Sequence, residues 1–201
     1  MRKEGHGSFV RRIALISISA AMLAACVSTT STVSTEYYAV NGSTSQQLDR
    51  ELRRKGPLNG HALASAAIRF EPVALAQQES ALGCSFKAAR FRVDANITLP
   101  RWINKSQSRD RDLRRAWDGL SKYARLHEQT HVKIAETYAK LLGNALIAIP
   151  PQRSCERLDR QSKKVVDKIY RSHDKAQQQF DADEQRRLAA LFAESERESG
   201  S

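Results

Sequence analysis

The 201-residue chain shows no internal repeat, which excludes a solenoid or a propeller. No apolar run is long enough for a comfortable membrane span; the longest, residues 13–25, falls short of the ~20 residues a spanning helix needs. Three cysteines are too few for a disulfide-dense scaffold, and neither Cys84 nor Cys155 has a second ligand at metal spacing. Acid is in deficit as well: 22 Asp and Glu face 33 Lys and Arg, giving a formal net charge of +11. A surface of that sign can attract nucleic acid, anionic envelope polymers or lipid headgroups. The cations are mixed with acids along helical stretches, the pattern of a solvated face.

What is present begins with an address. Arg2, Lys3, Arg11 and Arg12 precede the apolar run, and Leu23-Ala24-Ala25-Cys26 closes it, as in a secretory signal. The closing tetrapeptide looks like a bacterial lipobox, which implies cleavage before Cys26 and lipidation of it. The alternative is an ordinary signal peptide with an incidental cysteine. Val27 follows, not Asp, which implies the periplasmic face of the outer membrane in a Gram-negative host. The organisation expected is a signal peptide over residues 1–25, a lipidated cysteine and Ser/Thr-rich tether over 26–35, one domain over 36–197 and a disordered tail over 198–201. Export argues against a nucleic-acid partner. With Cys26 assigned to the anchor, Cys84 and Cys155 remain, either as a disulfide in an oxidising periplasm or as two buried free thiols.

Residues 32–40 are β-branched and aromatic and end at Asn41-Gly42, which predicts a strand and a turn. Ser43 or Thr44 caps a helix to Lys55, stopped by Gly56-Pro57. A second strand is expected over 67–73, although 62–67 also suits a helix. Residues 84–99 read as a half-buried strand, with Phe91, Val93, Ala95, Ile97 and Leu99 on one face alternating with polar residues. That strand is either plain structure or the sheet edge along which a substrate lies. From Asp110 the pattern turns helical, and Leu113, Trp117, Leu120, Ala124, His127 and His131 keep to one side up to Pro150-Pro151. A second long helix spans 154–194 with a seam of Leu158, Val165, Ile169, His173, Ala176, Phe180, Glu184, Leu188 and Leu191. The fold class expected is α+β, a small sheet packed on two long C-terminal helices.

Residues 127–131 spell His-Glu-Gln-Thr-His. On a helix, two histidines four apart stand one turn above each other, so both imidazoles reach one ion. The glutamate between them points beside the metal, where it takes a proton from a bound water. His127 and His131 are thus candidate Zn2+ ligands and Glu128 the candidate general base. Packed core histidines are the bland alternative.

The chain resembles the bacterial family of predicted secreted zinc-dependent proteases filed as domain of unknown function 922. The resemblance rests on Tyr37-Tyr38 before Asn41-Gly42-Ser43-Thr44, the Cys84 strand ending Ile97-Thr98-Leu99-Pro100-Arg101-Trp102, Trp117, the HEQTH stretch, Pro150-Pro151 with Cys155, and Phe180-Asp181. It covers nearly the whole mature chain. It implies a compact zincin-like domain with the HExxH on its first long helix, and a Cys84–Cys155 bridge. One stretch departs. The family pattern follows its aromatic-Asp pair with an acidic residue, Thr, Asp, His and Gly. Arg186 stands where that histidine is expected, and a guanidinium cannot bind zinc.

A catalytic zinc takes three protein ligands and keeps one open position. Candidates for the third are Glu184, near the family's usual ligand region, and His173, mid-seam. They lie eleven residues and roughly 16 Å apart along the helix, so one ion cannot use both. Asp181 falls nearly a quarter turn off the seam, Glu136 falls opposite the histidines, and the absence of any third ligand is a further alternative. Tyr138, on the histidine face, is a candidate oxyanion stabiliser, ahead of Tyr123; packing in the core is the alternative for both. The function expected is a lipid-anchored zinc metallopeptidase acting on an envelope protein or peptide. The alternatives are a non-catalytic envelope lipoprotein that binds a protein or an anionic polymer, and a peptidoglycan amidase with the same zinc chemistry.

Overall fold

A computed structural model describes residues 31–199. The signal sequence and Cys26 lie outside the described residues, as do Gly200 and Ser201. The elements run β1 (Thr32–Val40), α1 (Ser45–Lys55), a single turn α2 (Pro57–Gly60), β2 (Ser65–Ser80), β3 (Gly83–Trp102), α3 (Arg111–Ile147) and α4 (Cys155–Ser199). The fold is α+β, a three-stranded sheet with two long C-terminal helices.

Local signals set most boundaries. The Thr44 hydroxyl accepts from Gln47 N at the start of α1, and Asp110 accepts from Asp112 N and Leu113 N at the start of α3. The second strand is longer than the expected 67–73. Antiparallel pairing with β3 carries it from Ser65 to Ser80, past the β-branched run and through a register shift at Pro72/Ala74. The helical alternative for 62–67 does not occur. Helix α4 continues through the polar end to Ser199.

Strand order is β1-β3-β2, with β1 parallel and β2 antiparallel to β3. The strand read as a possible sheet edge is therefore the central one, and β2 is an edge. Alternation cannot separate the two positions, because an edge strand and a central strand over a single-sided core share one period.

The core lies between the sheet and α3. Val93, Ala95, Ile97 and Leu99 meet Ala124, Val132, Ala135 and Ala139. The helix residues are small, so the helix approaches closely. At Gly143 an added Cβ would stand 2.5 Å from Ala89 O, so only glycine fits. A second cluster joins Cys84, Phe86, Ala89, Leu142, Leu146, Ile149 and Leu158, and the Cys84–Cys155 disulfide closes it.

The core-facing stripe of α3 is the expected one only in part: Trp117 and Ala124 are buried as expected. It runs through Ala124, Glu128, Val132, Ala135, Ala139, Leu142 and Leu146, while Leu120 is exposed. The helix has two covered faces, one toward the sheet and one toward α4. A single stripe drawn from sequence merges them. Glu128 faces the sheet, and the histidines face α4.

Candidate metal centre

Helix α3 presents His127 and His131 one turn apart, and α4 passes opposite them. The two Nε2 atoms are 3.1 Å apart. Asp181 Oδ1 lies 3.1 Å from Nε2 of His127 and 3.0 Å from Nε2 of His131. Three donor atoms thus form a nearly equilateral triangle, and among the described residues these three are the group that could hold a metal ion. A tetrahedral shell with bonds of 2.0–2.1 Å has donor–donor edges of about 3.3 Å. Spacing and donor chemistry therefore both suit one small cation. The Phe180 ring packs against both imidazoles, with centroids 4.9 and 5.0 Å away, and fixes their planes.

Gln177 orients His131. Its Oε1 lies 2.6 Å from His131 Nδ1, and its Nε2 donates to His131 O at 3.1 Å. The backbone oxygen only accepts, which fixes which end of the amide is nitrogen. Oε1 must then accept the proton on Nδ1, and Nε2 of His131 carries a free lone pair toward the triangle. The same amide nitrogen lies 2.8 Å from His173 Nε2, which accepts, while His173 Nδ1 faces Asp174 at 3.4 Å. Burial lowers the pKa of His127, with the neighbouring His131 charge acting the same way and Asp181 opposing, which favours the neutral ring, the form that ligates. Nδ1 of His127 is buried with no hydrogen-bond partner among the described residues.

Glu128 is 5 % exposed. Burial pushes its pKa up to about 7; the His131 charge opposes this and Asp181 adds to it. The cavity beside it has a volume of about 520 Å³ and is shared by His127, His131, Asp181 and the start of edge strand β2 at Ser65, Ala66 and Ile68.

Neither third-ligand candidate from the sequence joins the triangle, although His173 lines the same cavity. Glu184 is held by Arg187 at 2.8 and 2.9 Å and accepts from Tyr123 at 3.3 Å. The Arg187 bond holds its carboxyl below the usual carboxylate range. His173 is buried against Phe70 and Tyr138 and bonded to Gln177. Tyr138 packs on His173 with ring centroids 5.5 Å apart and does not line the cavity. Tyr123 is the nearer tyrosine, 5.9 Å from the His127 ring. Glu136 accepts from Ser31 at 2.5 Å, away from the triangle. Arg186 pairs with Asp183.

Sequence reasoning missed Gln177 and set Asp181 behind Glu184 and His173. A signal was present, since both follow His173 at steps of four along one helical line. Its meaning depends on how α4 is rotated against α3, which no local pattern specifies.

A family model described as "Bacterial protein of unknown function (DUF922)" matches residues 35–187. Neither a curated protein nor a solved structure matches the chain.

Proposed function

This chain belongs to the DUF922 family of bacterial proteins, and we propose that it is a zinc-dependent peptidase of the bacterial envelope with its centre in the α3–α4 seam. The carrying observation is the convergence of His127 Nε2, His131 Nε2 and Asp181 Oδ1 beside a buried glutamate. These three residues would hold Zn2+ in a zincin-like arrangement, with Asp181 in the role expected of Glu184 or His173. When bound, zinc supplies Lewis-acid polarisation of a carbonyl and lowers the pKa of water toward about 7. Glu128 moves the proton. Its carboxylate accepts one from the attacking water near neutral pH and returns it to the leaving amine nitrogen. Strand β2 borders the cavity as an antiparallel sheet edge, which suits an extended peptide added alongside it.

The lipobox at Cys26 supports tethering to the periplasmic face of the outer membrane, with an envelope protein or peptide as substrate. The test is zinc per chain, by elemental analysis, on soluble protein starting after Cys26. Near one ion is expected in the parent and near none in His131→Ala. No zinc in either after reconstitution at neutral pH would sink the peptidase reading and leave a binding lipoprotein.

Gln177 gives a second expectation. Gln177→Met removes the acceptor for His131 Nδ1–H, and zinc affinity should fall roughly 10- to 100-fold. Gln177→Glu keeps an acceptor there and should retain most of the affinity. Equal affinities in a competition titration with a chromogenic chelator would refute the orienting role.

A further inference from the structure

Beyond the metal centre, toward the start of α3 and the end of α4, lies an apolar groove of about 970 Å³. Leu48 of α1, Leu113, Trp117 and Leu120 of α3, and Leu188 and Leu191 of α4 form its walls. At its mouth Phe192 is 66 % exposed and Leu191 49 %. Contiguous apolar surface left in water is unfavourable, and such patches mark binding sites.

The groove is continuous with the centre along two walls. On α3, Leu113, Ala116, Leu120, Tyr123 and His127 follow one another at helical spacing, so groove and ligand share a face. Tyr123 divides them: its ring lies 5.9 Å from His127 and its hydroxyl donates to Glu184 across the seam. The second wall is the segment leading into β2. Ala62 and Ala64 line the metal cavity, while Leu63 between them lines the groove. Tyr38 pins that segment by donating to Leu63 O at 2.8 Å. A residue in extended conformation advances about 3.4 Å, so a side chain one or two residues from a bond at the centre reaches the groove.

We propose that this groove is the specificity subsite of the enzyme and takes bulky apolar side chains, of the Leu and Phe class, one or two residues from the scissile bond. The inference rests on the peptidase reading of the metal centre. A polypeptide substrate is the occupant that the shared walls select, because its backbone would lie along the cavity while its side chain enters the groove.

Gly119 supplies the test. It lines the groove, and an added Cβ there meets nothing within 4 Å. Gly119→Trp therefore fills the groove from a helical position where glycine is the poorer helix former. Binding is read by fluorescence anisotropy on zinc-reconstituted Glu128→Gln protein, which holds peptide without cleaving it. Two labelled peptides are compared, identical except for Leu-Phe against Ser-Ser at the central pair. The Leu-Phe peptide should bind at least about tenfold more tightly, as expected for burying one large apolar side chain. Adding Gly119→Trp should erase that preference while zinc per chain stays the same. Equal or absent binding of the two peptides, or a preference that survives the tryptophan, would overturn the subsite. A preference in a chain that takes up no zinc supports the groove as a peptide site and overturns the peptidase reading. A parent that sediments as a dimer, with Gly119→Trp a monomer, would assign the groove to a second copy and overturn the proposal.

Discussion

Glu128→Gln should abolish peptide hydrolysis and, in the same molecule, stabilise the metal-free chain at alkaline pH. Loss of a general acid–base group costs about 10²- to 10⁴-fold in rate. The stability gain comes from the same burial that tunes the group. Glu128 is nearly inaccessible, and its pKa rises from an ordinary 4.5 to about 7. Below pH 4.5 the carboxyl is neutral in both folded and unfolded chains and costs nothing extra. Between 4.5 and 7 the unfolded chain has released a proton that the folded chain still holds, so stability falls as pH rises. Above 7 the full penalty stands, on the order of 3 kcal/mol. Glutamine has no proton to lose and escapes it. Urea midpoints of the metal-free proteins should therefore nearly coincide at pH 5 and separate at pH 8, with the variant higher. Curves that stay parallel across that range would mean the carboxyl is not held neutral by its surroundings. Equal hydrolysis by the variant would remove Glu128 from the chemistry.

That glutamate also shows where sequence reading succeeds and where it stops. The HEQTH spacing identifies three residues on one helix, because the period of an α-helix is fixed by its backbone. The strand at Thr32–Val40, the helix closed by Gly56-Pro57 and the seam from Leu158 through Phe180 are legible for the same reason. Each depends on caps, breakers and local periodicity. The environment of Glu128 does not. It lies under the sheet because Ala124, Val132, Ala135 and Ala139 let α3 approach β3 closely, a property of two surfaces together. Asp181 is the sharper case. From one helix it stands nearly a quarter turn off the apolar seam. From the pair of helices it is the residue whose carboxylate meets both imidazoles. Glu184 has the same chemistry three residues later, and Arg187 and Tyr123 occupy it. The central place of β3 was hidden likewise, since both of its pairing partners precede it in sequence and its own alternation does not say that they take opposite edges.

The disulfide is the other site of large expected effect. Cys84→Ser with Cys155→Ser should destabilise the chain by about 4 kcal/mol, because the bridge closes a loop of 71 residues in the unfolded chain. For a domain of this size that lowers the unfolding midpoint by roughly 10 °C. The native contacts around the bridge should persist without it. Cys84 and Gln152 exchange two backbone hydrogen bonds, at 2.7 and 2.8 Å, and Leu158 stays packed on Leu142 and Leu146. Gly83, at φ 111°, allows that approach; an added Cβ would stand 2.2 Å from Gln152 O. The loss is therefore written mainly on the unfolded state. It should leave the metal centre largely intact at 25 °C, since Asp181 lies about 39 Å along α4 from Cys155. There the seam has its own ties, Gln177 to His131 and Glu184 to Tyr123. Thermal unfolding and zinc affinity, measured on one double-serine preparation, should thus part company: a large drop in midpoint with affinity changed less than about threefold. A midpoint within 2 °C of the parent would contradict the loop-closure account. A parallel loss of zinc would mean that the bridge also sets the rotation of α4 that brings Asp181 to the histidines.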